Sequence, residues 1–358
     1  AGGGGGEVAA ALGLLSIEDG AVTITQPTGQ VIELQGLDNA ASLRLASGVA
    51  TGDVSGSLQK VVLRGGEMPR PIEVSSIEWE LDLEAQVDGS GGRVQIARVE
   101  TSGVRASGTA SWTGTAPELD VALDVTGDLA TVWEELGRGF VDPATLPEGM
   151  TLDDFALVGG SVDADVTYQG VVPEGDADDP TAALEPLRVR GALEGLRARV
   201  FGRDDLVTLS SDFEVREATL IGTGVQLAGD ALQGGGTFRV PLALDAPLNG
   251  EMGLELRTAS ALDVAAALWP RLEPLMATGE GPPPAGPEEW PAVDGTIVAD
   301  VAFDLPVDGS FDPATGAADA VTWTLTAPDA LTVELPTFTE SFVTRDLRVT
   351  GDLRTASV

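Results

Sequence analysis

Hydrophobic and polar residues alternate with period two along residues 72–87. Ile72 and Val74 share one face, and Ile77, Trp79, Leu81, Leu83, Ala85 and Val87 continue it. The residues between them are polar and mostly acidic. Because side chains alternate between the two faces of a strand, this pattern predicts one long strand with an apolar side and an acidic side. The alternation slips once, at Ser75–Ser76, which predicts a β-bulge with one extra residue.

The same alternation recurs in shorter stretches along the chain. They are residues 22–24, 43–45, 119–125, 162–168, 238–244, 252–256, 297–307, 321–325 and 331–335. Glycine, proline and aspartate separate them, as is typical of antiparallel strands joined by turns. The sequence therefore predicts an all-β, mainly antiparallel fold. Because each stretch is apolar on one side only, we expect an elongated, curved sheet that forms an open apolar groove.

Two segments follow a helical pattern instead. Residues 128–136 begin with Asp128, a residue type that caps helix N-termini, and are followed by Gly137, which favours a helix end. Residues 260–269 begin with a capping box of Ser260 and Asp263 and are followed by Pro270. We predict two short helices, the second followed by a proline-rich loop over residues 280–291.

These helices belong to a repeated pattern of strand, helix, loop and strand. Gly160 and Gly295 open the strand after each loop and lie 135 residues apart in the sequence. A constant order at a similar offset indicates duplication of a strand-rich unit. We therefore predict a glycine-rich linker at residues 1–7 and three sheet segments at 8–127, 128–259 and 260–358, the last two beginning with a helix.

Composition removes several classes of function. The chain of 358 residues carries 57 acidic and 20 basic residues, a net charge of −37, which disfavours nucleic acid as a partner. Anionic membrane surfaces are disfavoured for the same reason, unless a segment outside this chain supplies an anchor. Histidine and cysteine are absent, so serine–histidine triads, cysteine nucleophiles and ordinary zinc sites are excluded.

No catalytic constellation or cofactor motif remains after this exclusion. Paired carboxylates could in principle serve a glycosidase, but acids are too abundant for any one pair to be informative. Residues 174–179 and 308–312 are similar to calcium loops, yet neither has the spaced aspartates and distal glutamate of a calcium-binding motif. We predict no enzyme activity, no cofactor and no metal site.

The N-terminal part of the chain resembles a known family. Residues 15–24 (LSIEDGAVTI) and 28–38 (TGQVIELQGLD) resemble the "I-x-D-G-x-V … G-x-x-x-x-L-x-x-L-D" hairpin of the AsmA superfamily of Gram-negative envelope proteins. Residues 213–215 and 228–238 are similar to a "strand, G-x-x-x-x-G, strand" rhythm in the same proteins, and residues 268–270 (LWP) are similar to their helix end. The membrane helix expected at the N-terminus of the family is not in this chain.

The resemblance implies a sheet rolled into an open apolar groove that bridges two membranes. It implies a periplasmic carrier of phospholipid acyl chains, anchored to the inner membrane through a segment outside this chain, with outer-membrane or envelope proteins as possible partners. The apolar residues expected to line the groove are Ile77, Trp79, Leu81, Leu83, Val121, Leu123, Val166, Val301, Phe303 and Leu305. The alternative is a structural or binding module, a β-sandwich or solenoid of an envelope assembly or surface protein with a closed core.

Overall fold

The structure is a computed structural model of the chain. It describes residues 10–25, 30–65, 70–114, 118–141, 151–171, 184–200, 203, 207–242, 247–276, 286–306, 320–336, 341–352 and 356–357. The acidic stretches 174–179 and 308–312 lie outside these residues, as does the linker at 1–7.

The chain forms two compact units. The first unit contains Ala1–Thr145, Gly160–Gly191 and Val215–Glu217, and the second contains Leu146–Gly159, Ala192–Glu214 and Ala218–Val358. The strands β8 (Phe155–Val171), β9 (Leu187–Val200) and β10 (Thr208–Arg216) contribute residues to both units. The three sheet segments foreseen from the repeat stay a prediction.

Long antiparallel strands make up the first unit. They are β1 (Ala10–Thr25), β2 (Val31–Ala46), β3 (Val49–Arg64), β4 (Ile72–Gln86), β5 (Gly91–Glu100), β6 (Val104–Thr113), β7 (Glu118–Asp128) and β8 (Phe155–Val171). Each pairs with the next in the chain, from β1 with β2 to β7 with β8. Among the described residues β1 pairs with β2 alone, so the sheet of this unit is open at that edge.

The predicted slip in β4 is present, but its geometry differs from a bulge. Ser76 has a left-handed backbone (φ 55°), which shifts the alternation so that Val74 and Ile77 face the same side. The register against β3 stays one to one, because Ser75 pairs with Lys60 and Ile77 with Leu58. The prediction of an extra residue in β4 is therefore wrong with respect to β3.

Neighbouring strands share the same slip. Gly36 of β2 is left-handed (φ 64°) and lies between the pairs Gln35–Lys60 and Leu37–Leu58, in line with Ser76. Asp19 of β1 is left-handed as well (φ 51°) and falls at a register shift. Because β1, β2 and β4 each have a left-handed residue at this level, and β3 stays in one-to-one register with β2 and β4, the apolar residues of these strands stay on one face.

A helical segment, α1, connects β7 to β8. It consists of Leu129–Val132, a π-helical turn Trp133–Gly137 and Arg138–Phe140. Asp128 caps it as predicted, accepting a hydrogen bond from the Thr131 backbone amide at 2.8 Å. The predicted end at Gly137 is wrong. The chain continues in helical conformation past Gly137, where the ring of Trp133 leaves no room for a Cβ atom.

The second unit is built in the same way. Its strands are β11 (Thr219–Ala228), β12 (Leu232–Pro241), β13 (Pro247–Arg257), β15 (Thr296–Pro306), β16 (Val321–Thr326), β19 (Arg348–Asp352) and β20 (Ala356–Ser357), paired in this order as antiparallel neighbours. A small separate sheet contains β14 (Ala292–Asp294), β17 (Leu331–Glu334) and β18 (Phe342–Thr344).

The helix of the second unit, α2 (Thr258–Met276), is longer than predicted. It begins two residues before Ser260 and continues through Pro270, so the predicted end at Pro270 is wrong. A proline removes one backbone hydrogen bond and kinks a helix, but the turns on either side can still form. Trp269 of α2 packs edge to face against Trp290, with ring centroids 5.2 Å apart.

The two helices occupy equivalent places in their units. α1 lies between β7 and β8, and α2 between β13 and β15, and in both cases the flanking strands are antiparallel neighbours. A left-handed glycine lies near the start of the strand after each helix: Gly160 (φ 116°) is the sixth residue of β8, and Gly295 (φ 142°) directly precedes β15. These are the two glycines that the sequence repeat aligns. The predicted fold class, mainly antiparallel β with two short helices and an open sheet, is confirmed.

Candidate functional site

The predicted lining residues of the first unit share one face of its sheet. Leu81 stands opposite Ile96, which is followed across the sheet by Gly108, Leu123 and Val166. Directly opposite residues in an antiparallel sheet lie on the same face. These five residues therefore form one row that crosses β4 to β8.

A second row runs parallel to the first. Leu83 is followed by Val94, Ala110, Val121 and Tyr168 on β5 to β8. Ile77 and Trp79 lie on the same face of β4, because they alternate with the exposed Glu78 and Glu80. The structure thus brings Ile77, Trp79, Leu81, Leu83, Val121, Leu123 and Val166 together on one surface, which we call the first apolar face.

The other three predicted residues lie on β15 of the second unit. Val301 stands between Met252 and Trp323, and Phe303 stands between Gly250 and Val321. Leu305 is opposite Leu248 on β13. These residues share one face of β15, and we call this side of the second unit's sheet the second apolar face.

All ten lining residues are half-buried, and few apolar side chains are fully buried. Ile72, which packs against Gly139 of α1, is 1% exposed, whereas Val22 and Ile24 on β1 are 40% and 46% exposed. The apolar side chains on the sheet faces thus keep part of their surface open to solvent.

Aromatic rings of both apolar faces lie over glycines of the neighbouring strand. The directly opposite pairs are Trp79 with Gly56, Trp112 with Gly92, Phe238 with Gly222 and Phe303 with Gly250. In every pair a Cβ atom added to the glycine would overlap ring carbons, and in every pair the glycine is on the preceding strand of the sheet. Glycine is required here by the close approach of the ring, since none of the four has a left-handed backbone.

The opposite face of the first sheet is acidic. Asp53 stands opposite Asp82, Glu78 opposite Glu100, and Asp124 opposite Asp165. Like charges placed directly opposite each other destabilise a sheet by repulsion. Much of the negative charge of this sheet therefore lies on the face opposite the apolar one.

Two arginines relieve part of this repulsion. Arg98 contacts Glu78 at 3.1 Å and Glu100 at 3.6 Å, and Arg105 donates three hydrogen bonds to the Glu100 carboxylate. The hydrogen bonds from the Arg105 guanidinium, with its charge and that of Arg98, lower the pKa of Glu100. The same contact raises the pKa of Arg105. Glu78, Arg98 and Arg105 are solvent-exposed and Glu100 is half-buried, so the ion pairs contribute little to stability.

Shallow concavities lie on the polar side of the sheets. One of about 470 Å³ in the first unit is lined by Asp38, Ser55, Ser57, Glu78, Glu80 and Arg98, among others. Another of about 630 Å³ in the second unit is lined by Thr237, Glu251, Asp300, Thr322, Thr324 and Thr350, together with neighbouring residues of the same strands. Within the described residues, no group of three or more acidic side chains is arranged to hold a metal ion.

Sequence reasoning missed the apolar residues of β5, Val94, Ile96 and Val99, which complete the first face. Phe238, Met252 and Trp323 lie in stretches whose alternation was recognised, but they were not among the ten expected lining residues, and the structure places them on the second face. Alternation in β5 is interrupted at Ala97, an extra residue between the pairs Glu80–Arg98 and Leu81–Ile96, which concealed the pattern. The glycines below the rings had no signal in the sequence, because the opposing strand is known only from the register.

In the part of the chain that the structure describes, neither helix has the length and apolar character needed to cross a bilayer. Comparison with known proteins adds no assignment, since no family model, no curated protein and no solved structure matches this chain.

Proposed function

We propose that the apolar faces hold the acyl chains of phospholipids and that the protein carries lipid without any covalent step. The observation that carries this proposal is the set of unbroken apolar rows, such as Leu81–Ile96–Gly108–Leu123–Val166, whose members remain half-exposed. Exposed apolar surface of this extent marks a site for an apolar ligand or partner.

Acyl chains fit this surface better than a ligand that needs directional contacts. They are satisfied by apolar contact alone, and the lining residues are aliphatic or aromatic with very few polar atoms. The only polar group of the Trp79 side chain, its indole N–H, already has a hydrogen-bond partner, because it donates to Oδ1 of Asn39 at 3.3 Å. A lipid could therefore slide along a row without breaking hydrogen bonds.

The acidic opposite face supports the same proposal. Charge on that side keeps a sheet with one apolar surface soluble and opposes association between copies. In the AsmA-like role, a segment outside this chain would anchor the protein to the inner membrane, the lipid would cross the periplasm along the groove, and envelope proteins would receive it.

The direct test is to look for bound lipid. The purified chain is extracted with organic solvent and analysed by mass spectrometry, and the delipidated protein is then offered a fluorescent phospholipid in dilute detergent-free buffer. Co-purified phospholipid and saturable uptake support the proposal. A clean extract together with no uptake would overturn it and favour the structural or binding module.

A further inference from the structure

The edge strand β1 leaves one side of its backbone without a neighbour. It pairs with β2, and among the described residues no strand pairs with its other side. Register shifts interrupt the pairing up to Ala21, whereas residues 21–25 lie one to one opposite residues 31–35 of β2. The regular spacing of amide and carbonyl groups along such an edge matches that of another extended segment.

Residues 21–25 (AVTIT) lack the features that protect edge strands from further pairing. Natural edges usually carry lysine or other charges, proline, or a bulge. These residues include no charged side chain and no proline, and all five are exposed. The irregularities of β1 lie before them in the chain. This part of the edge is therefore open to a further strand.

One side of this edge is apolar. Val22 and Ile24 stand at the β1 end of two apolar rows that cross to β4. The rows are Val22–Leu34–Val61–Val74 and Ile24–Ile32–Leu63–Ile72. Directly opposite residues share a face, so apolar side chains on an added strand would cover Val22 and Ile24 and continue both rows.

The other side of this edge is acidic. The concavity of about 470 Å³ on the polar face reaches β1, where Glu18 lines it. Its other acidic lining residues are Asp38, Glu78 and Glu80. Arg98, its basic lining residue, is already bound to Glu78 and Glu100. Within the described residues the other three carboxylates form no ion pair, so a basic side chain complements this side.

We propose that the open edge of β1, along residues 21–25, binds a β-strand of a partner protein in which apolar residues alternate with lysine or arginine. The apolar side chains extend the first apolar face beyond β1. A strand that continues past Gly20 brings a basic side chain to Glu18. A second copy of this chain fits less well, because it would bring another acidic face to this one. The inference does not depend on lipid as the ligand of the apolar faces.

The test offers peptides to the full, lipid-free chain. The probe is fluorescein-labelled Val-Lys-Val-Lys-Val-Lys-Val. One control, Val-Glu-Val-Glu-Val-Glu-Val, reverses the charge, and the other, Val-Val-Lys-Lys-Lys-Val-Val, keeps the composition but not the alternation. We expect saturable binding of the probe by fluorescence anisotropy, with hydrogen-exchange protection of residues 21–25, and at least about tenfold weaker binding of both controls.

Two proline variants test the edge itself. Successive amides of a strand point to opposite sides, so one of Val22→Pro and Thr23→Pro removes an outward amide and the other an amide that faces β2. The variant with the higher urea midpoint is the one that keeps the pairing with β2, and it should lose probe binding. If neither variant folds, the hydrogen-exchange protection of residues 21–25 decides.

A charge variant tests the acidic side. Glu18→Gln should weaken probe binding about fivefold at low salt, the effect of one lost charge contact in water. Glu84→Gln is the matched control, because it removes the same charge from the polar face of β4, a strand that is paired on both sides. Equal weakening by the two variants would mean that the probe senses only the overall negative charge, and would overturn the proposal.

The remaining outcomes are also decisive. No binding of the probe, equal binding of the peptide without alternation, or full binding by the folded proline variant would overturn the proposal. So would sedimentation that shows a dimer which this proline variant abolishes, because a second copy would then occupy the edge. Lipid uptake is measured separately, so failure of the proposed function and failure of this inference are distinguishable.

Discussion

The indole ring of Trp79 lies over Gly56, the residue directly opposite it on β3. A Cβ atom at Gly56 would be 2.5 Å from Cζ2 of the ring and 2.5 Å from the carbonyl oxygen of Asp38. Beyond the glycine, the indole N–H reaches Oδ1 of Asn39 on β2 at 3.3 Å. One side chain thus spans three strands, and it can do so only because the middle strand has no side chain at this point.

This relationship predicts that Gly56→Ala destabilises the first unit. The methyl group must displace both a ring and a backbone carbonyl, and overpacking of this kind costs about 1–3 kcal/mol. Urea unfolding followed by tryptophan fluorescence measures the change, with Gly253→Ala as the control that has room for its methyl group. Equal midpoints for the two variants would show that the ring does not constrain Gly56.

Leu81→Asp should abolish lipid uptake with a limited effect on folding. Leu81 is half-buried on the apolar face, so a carboxylate there stays partly hydrated in the free protein but would be desolvated beneath an acyl chain. We expect uptake of a fluorescent phospholipid to fall at least about tenfold. Gln86→Glu adds the same charge to the polar face of the same strand and should retain uptake. Unfolding of Leu81→Asp, measured by circular dichroism, would instead indicate a closed core.

Stability should increase with salt, because acidic residues face each other across strands. Asp53 is directly opposite Asp82 on the polar face. Asp82→Asn should raise the free energy of unfolding by about 0.2–1 kcal/mol at low salt. The gain should vanish near 1 M salt, because salt then screens charges that are more than about 3 Å apart. Glu73→Gln in the same strand removes an ion pair with Lys60 and should not stabilise. A gain from Asp82→Asn that persists at high salt would contradict this explanation.

The left-handed backbone of Ser76 predicts opposite effects of two substitutions. Ser76→Gly should be neutral or stabilising, because a left-handed conformation costs a non-glycine residue about 1–2 kcal/mol. Ser76→Val should destabilise by more than about 1 kcal/mol, since β-branched residues tolerate this conformation least. Both are measured by urea unfolding. Equal stability of the two variants would contradict this prediction, because it would mean that residue 76 can adopt another backbone conformation with no loss in the free energy of unfolding.

The N-cap of α1 predicts a pH dependence at low pH. Hydrogen bonds from the Thr131 hydroxyl and backbone amide lower the pKa of Asp128. Its folded pKa is therefore below the unfolded value of about 3.9, so the cap stabilises α1 fully above that value and is lost as pH falls through the folded pKa.

The amide chemical shift of Thr131 in an NMR titration reports this protonation, and its midpoint should lie below about 3.9. Asp128→Asn should remove the titration while keeping a cap, and Asp128→Ala should cost about 1 kcal/mol of helix stability. A midpoint at or above the unfolded value would exclude the hydrogen bond as the cause.

Local patterns were sufficient for elements whose stabilising contacts are themselves local. Alternation located β4 to within one residue, and the capping preference of aspartate placed the start of α1 at Asp128. Helix ends were less predictable. Gly137 and Pro270 are common stop signals, but here the helices continue past both, because one unfavourable residue lowers the stability of a helix without forcing it to end.

The sequence by itself determined that the strands have one apolar and one acidic side, since period two follows directly from backbone geometry. Only the tertiary structure decided which residues meet, because a pairing register joins positions far apart in the chain. The row Leu81–Ile96–Gly108–Leu123–Val166 and the aromatic rings over Gly56, Gly92, Gly222 and Gly250 exist only once that register is set. The half-burial of the apolar face was likewise decided by the tertiary arrangement, since alternation alone is equally compatible with a sheet covered by a second layer.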